Sequence, residues 1–118
     1  VLVTGTVEDI RPYLRRAALA VAPVRYAAGI QNKVLEGLAC ATPVVATPEA
    51  VAALAVNPGE DLVVAPEPRA MAAAVVSLLR NPERRAELGR AGRLFVERRH
   101  DWRAVARDLA QIYRYARN

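Results

Sequence analysis

Four short apolar runs constrain the fold most: Val1-Leu2-Val3, residues 19–24, Val44-Val45-Ala46 and Leu62-Val63-Val64. None alternates polar with apolar residues. A strand that is apolar on both faces belongs in a parallel sheet covered by helices on both sides. The stretches between and after the runs have helical character. The order reads β-α-β-α-β-α-β followed by helices, which predicts an α/β fold with a Rossmann-like parallel sheet and a C-terminal helical tail. Right-handed crossovers would gather the loops beginning at Gly5, Pro23 and Thr47 at one sheet edge, where open α/β folds hold ligands.

The first strand is expected over residues 1–5 and a helix over 8–18. Glu8 and Asp9 stand at that helix's positive end, Pro12 in its first turn, and Ile10, Tyr13, Leu14 and Ala17 on one face. Pro23 interrupts the second strand. A helix over 32–40, a turn at Thr42-Pro43, the strand at 44–46 and a helical turn over 49–54 follow. Residues 57–60 form a turn and 62–64 the fourth strand. Three helices close the chain, over 68–80, 82–99 and 102–117, the second with a breaking point near Gly89 to Gly92. Asp101 is a suitable N-cap for the third, and Trp102 and Tyr113 are its expected anchors.

At 118 residues the chain is one domain's worth or less. It is 53% hydrophobic but 5% aromatic, so the core must come from Ala, Val and Leu. Val1 is not an initiator Met, and the expectation is a chain that begins inside a larger protein. No apolar run reaches the roughly 18 residues of a membrane span, and no signal peptide is recognisable. The single Cys40 fits a reducing, cytoplasmic setting and reads as a small hydrophobe; His100 carries no evident chemistry. The net charge is +5, with an isoelectric point of about 10.1, and Lys33 is the sole lysine. Many arginines lie between Arg80 and Arg117, interleaved with Glu83, Glu87, Glu97 and Asp108. That pattern reads first as solvated helix faces with i, i+4 pairing. A second reading is peripheral contact with anionic lipid at the inner face of a plasma membrane. No nucleic-acid-binding pattern is present.

The segment 29–47 carries the chemistry. A glycine, Gly29, opens a short helix, whose amino end suits an anion such as a diphosphate. Glu36 lies about one turn inside, placed to reach a neutral hydroxyl. It shares a stripe with Lys33, Gly37 and Cys40, opposite Val34, Leu35, Leu38 and Ala39. Glu36 is either an exposed acid paired with Lys33 or a ligand carboxylate, with the small neighbours leaving room for a ligand along the helix. Gly29 serves either backbone freedom or close approach to a ligand. Lys33 either pairs with Glu36 or binds phosphate, and Arg25 is either solvated or an anion ligand.

Gly5-Thr6-Val7-Glu8-Asp9, Ala22-Pro23, the run from Lys33 to Ala39 and Pro43-Val44-Val45-Ala46-Thr47 resemble the C-terminal half of family 4 retaining glycosyltransferases of the GT-B fold. Pro23-Val24-Arg25 with Gly29-Ile30-Gln31-Asn32-Lys33 is most similar to sugar transferases associated with exosortase and PEP-CTERM exopolysaccharide systems. Pro58-Gly59-Glu60-Asp61-Leu62-Val63 fits a further family segment, with Asn57 where a glycine is common. The resemblance implies that residues 1–118 are a partial donor-binding C-terminal domain whose partner is an N-terminal domain of the same protein. It implies that Glu36 holds the ribose, that Gly29, Ile30, Gln31 and Asn32 offer amides to the donor sugar and diphosphate, and that Val7 flanks the base. Arg25 and Lys33, charges the commoner pattern lacks, are implied to meet the diphosphate or an acidic group on the donor. Of the family's two acids, which have seven residues between them, Glu36 matches the second, and Ala28 stands at the first.

The implied activity is sugar transfer from a nucleotide-sugar, with no cofactor and, lacking an Asp-x-Asp pair, no metal. The alternative is a nucleotide-sugar-binding fragment without transferase activity. A response-regulator-like domain would need acids where Gly5, Pro23 and Thr47 stand, and an epimerase would need an acid and base facing the sugar.

Overall fold

The computed structural model describes all residues except 27, 28, 30 and 118. It contains α1 (Arg11–Arg16), β1 (Ala20–Ala22), α2 (Asn32–Ala39), β2 (Val44–Ala46), α3 (Pro48–Val51), β3 (Val63–Val64), α4 (Pro68–Leu79), α5 (Pro82–Arg99) and α6 (Trp102–Arg117). The strands form one parallel sheet in the order β1-β2-β3. Ala20, Val21 and Ala22 align with Val44, Val45 and Ala46, and Val45 and Ala46 align with Val63 and Val64.

Successive strand residues face opposite sides of a sheet, and here the two sides carry separate cores. Val44 and Ala46 pack with Ala22, Val34, Leu38, Leu62 and Phe95, under α2 and the distal half of α5. Val45 packs on the other side with Ala65, Leu78 and Leu88, joined by Met71, Ala74 and Val75 of α4. The fold is therefore α/β and Rossmann-like, with helices on both faces and a helical tail. All three residues of β2 are buried, which is why that run reads as continuously apolar.

The structure corrects the expected elements at four places. Residues 1–5 form no strand: Val1, Leu2 and Val3 are exposed. A strand exists through hydrogen bonds to a neighbour, and among the described residues no strand lies beside them. The first helix spans six residues, not eleven. It starts after Asp9, whose carboxylate accepts from the Arg11 backbone N–H at 3.0 Å. Its expected apolar face stays open, with Tyr13 exposed and Leu14 half-buried. Leu62 precedes the fourth strand, joined to Pro58 by an isolated bridge. Finally, α5 runs unbroken through Gly89 and Gly92. Those glycines admit another element instead: a Cβ on Gly89 would collide with the Ala41 carbonyl, and one on Gly92 would stand 2.7 Å from Leu38. The side chains of Trp102 and Tyr113 lie outside the described residues.

Candidate functional site

A parallel crossover runs its helix antiparallel to the strands, so α2 presents its amino end at the C-terminal edge of the sheet, and α4, which begins four residues after β3, starts at the same edge. A cleft of about 550 Å³ opens there, lined by residues that follow each strand. Pro23 and Arg25 come from the loop after β1, Thr47 and Glu49 from the segment after β2, and Pro66, Glu67 and Pro68 from the segment after β3. Met71, Ala72 and Val75 of α4 supply an apolar wall. Of the loops expected to converge, those at Pro23 and Thr47 do so. Gly5 does not line the cleft, and the segment after β3 takes that place.

Thr47 shapes the cleft from within. Its hydroxyl donates to the Val24 carbonyl and accepts from the Ala50 N–H, capping α3 and tying β2 to the loop after β1. The proline at the first position of α3 suits a helix start, because its missing N–H would be unpaired there anyway. Glu67 occupies the N-cap of α4 and makes no side-chain cap bond.

On the opposite face of the same edge, α2 begins at Asn32 after Gln31, which supplies no side-chain cap. The Val34 N–H donates to the Gln31 carbonyl at 3.1 Å, whereas the amides of Asn32 and Lys33 precede the first intrahelical bond, so this amino end offers N–H groups and a positive partial charge. Gly29 has φ +77°, the left-handed region, with open space where a Cβ would stand. Its backbone freedom is thus used. Asn32, Lys33 and Glu36 are exposed and Gln31 is half-buried. Among the described residues no ion pair joins Lys33 to Glu36. Val7 is half-buried ahead of α1. Ile30 and Ala28 lie outside the described residues.

One expectation about this helix is overturned. Gly37 does not leave room for a ligand beside Glu36. It is buried against the sheet, and a Cβ there would stand 2.9 Å from Val44 Cγ2. Its smallness lets α2 approach β2, so the case for Glu36 rests on exposure and on its place one turn from the amino end. Sequence reasoning also passed over Glu49 and Glu67. The available signal was their position, within three residues of a strand's end.

Chemically, two helix amino ends and the Arg25 guanidinium favour an anion, and three carboxylates accept from hydroxyls. Among the described residues no three His, Cys, Asp or Glu side chains gather as a metal site. No described helix is long and apolar enough to cross a membrane.

Residues 1–81, which include every element of this edge, match the family described as Glycosyl transferases group 1. The chain belongs to that family. Comparisons with curated proteins and with solved structures gave no match. As a glycosyltransferase domain, the chain has its strand ends, cleft and α2 within the matched region, and all of α5 and α6 beyond it.

Proposed function

We propose that this glycosyltransferase chain is the donor-binding half of a retaining enzyme that takes a sugar from a nucleotide-sugar. The observation that carries this reading is the uncapped amino end of α2, with exposed Glu36 one turn inside it, at the same sheet edge as a cleft lined by Arg25, Glu49 and Glu67. Gly29, Gln31, Asn32 and Lys33 would meet the diphosphate and donor sugar, Glu36 the ribose hydroxyls, and Val7 the base.

As the glycosidic bond breaks, the departing diphosphate gains negative charge. Fixed amides and a helix dipole stabilise that charge without reorganising, each donor being worth about 3 kcal/mol in such sites. The reading needs no metal. The acceptor would sit on a separate domain. The finer assignment, to family 4 enzymes serving exopolysaccharide synthesis, rests on the resemblance of residues 22–47.

The test is calorimetric titration of the chain with uridine, guanosine and adenosine diphosphate, each with and without excess chelator. One diphosphate should bind, and binding should survive the chelator. Glu36→Ala should weaken it about tenfold or more, the worth of a hydrogen bond to a charged group, with the unliganded melting temperature unchanged. Unaltered affinity in that variant would remove the ribose role. Loss of binding in chelator that magnesium restores would remove the metal-free mechanism.

A further inference from the structure

The carboxyl end of α2 is held as closely as its amino end is open. Helix ends leave four carbonyls without intrahelical partners, and all four are accounted for here. The Cys40, Ala41 and Thr42 N–H groups donate to the Glu36, Leu38 and Gly37 carbonyls at 3.1, 3.0 and 3.0 Å. Ala41 takes φ +56° to close this turn. The fourth carbonyl, of Ala39, accepts from Arg93 Nη1 of α5 at 2.7 Å. Arg93 Nε is held in turn by Glu97 at 2.9 Å. Around this bond the glycines admit close neighbours: Gly89 lies on the Ala41 carbonyl, Gly92 on the Leu38 side chain, and Gly37 on the Val44 side chain.

We propose that Arg93 is a positioning residue for the donor, fixing α2 from behind so that its amino amides and Glu36 meet the ligand in one register. This rests on the reading of α2 given above. An eight-residue helix is a rod about 12 Å long, so a slip or rotation at Ala39 is carried to Asn32. The glycine contacts set how close α5 comes to α2. The guanidinium sets the angle, because its planar fork serves a carbonyl and a carboxylate together. It also places a cation at the negative end of the helix.

Arg84 provides the control. It lies on the same helix and makes the same kinds of contact, to the Gly59 carbonyl and to Glu87, but its carbonyl belongs to the turn before β3 and not to α2. The experiment measures nucleoside diphosphate affinity and melting temperature for the wild type, Arg93→Ala, Arg93→Lys and Arg84→Ala. Arg93→Ala should lose affinity about fivefold, within the range of positional couplings, and Arg93→Lys, which keeps the charge but not the fork, should recover little of it. Arg84→Ala should lower the melting temperature to a similar degree with affinity unchanged. Equal affinity losses in Arg93→Ala and Arg84→Ala would mark the effect as general loosening and overturn the proposal, as would no loss in Arg93→Ala. If Arg93→Ala does not fold, Glu97→Gln, which frees the guanidinium from its carboxylate, takes its place; a two- to threefold loss is expected, and unchanged affinity overturns the proposal. Failure of the wild type to bind any of the three diphosphates would instead defeat the donor-site reading, and the positioning role with it.

Discussion

Replacing Gly89 by alanine should destabilise the protein, although the substitution favours the helix that contains it. In an exposed helix interior, Gly→Ala gains about 1 kcal/mol. Here the added Cβ would lie 3.2 Å from the Ala41 carbonyl carbon and under 3.0 Å from its oxygen. That oxygen belongs to the turn ending α2 and has no side-chain freedom with which to yield. Relief requires α5 to retreat by about 1 Å to reach ordinary contact. Retreat loosens the packing of Leu88 and Phe95, one in each core, and stretches the Arg93 bond to Ala39. Overpacking of this kind costs about 1–3 kcal/mol, and weakening a hydrogen bond from a charged donor adds about 1–2 kcal/mol. Set against the helix gain, the net loss is about 2 kcal/mol, a fall in melting temperature of about 10 °C for a domain of this size. Thermal melting with parallel urea titration measures it, the urea slope remaining at its wild-type value. Gly92→Ala should cost less, because the atom nearest its Cβ belongs to the Leu38 side chain and the nearest backbone atom, the Asp61 carbonyl oxygen, would stand 3.2 Å away. A Gly89→Ala protein that melts at or above the wild-type temperature would refute the reasoning.

Two further perturbations test separate parts of the structure. Thr47→Val keeps the shape but removes the hydroxyl that caps α3 and satisfies the Val24 carbonyl; a loss of about 2 kcal/mol is expected, with Thr47→Ser close to wild type, and equal melting of the valine variant would disprove the tie. The Arg11 side chain, aided by its own N–H, holds the exposed Asp9 carboxyl below the ordinary carboxylate range. A lowered folded-state value means the pairing stabilises above the unfolded pKa and is lost as pH falls through the folded one. An NMR titration should show the Asp9 midpoint rising towards the ordinary range in Arg11→Ala, and an unmoved midpoint would exclude Arg11 as the cause.

The elements legible in the sequence were those whose signals are local. Residues 32–39 carry a helical period in which Val34 and Leu38 face the core, and Val44-Val45-Ala46 is apolar because both its faces are covered. The starts of α4 and α5 are marked by prolines at Pro68 and Pro82. What escaped the sequence was what depends on a partner. Gly89 reads as a helix breaker and Gly37 as space for a ligand, because the sequence does not reveal which neighbour, the Ala41 carbonyl or the Val44 side chain, will come to lie against a missing Cβ. The run at 1–3 has strand composition, but pairing rather than composition makes a strand. At the candidate site, attention fell on the α2 motif, whereas the cleft takes Glu49 and Glu67 from segments with no motif of their own.

The arginine-rich composition has an internal use that charge patterning alone does not reveal. From α5, Arg84 donates to the Gly59 carbonyl, Arg85 to those of Leu78 and Leu79 at 2.7 and 2.8 Å, and Arg93 to that of Ala39. Two of these are the carboxyl ends of α4 and α2, the helices whose amino ends define the ligand edge. Arg84 and Arg93 also hold a glutamate of their own helix. Serving a carbonyl and a carboxylate at once needs a rigid fork of donors, which lysine lacks. That requirement accounts for arginine at these positions. It also means that a basic isoelectric point is here no evidence in itself of a polyanionic partner. The same helix that carries much of the positive charge uses it to fix, from the opposite edge of the sheet, the frame on which the candidate site is built.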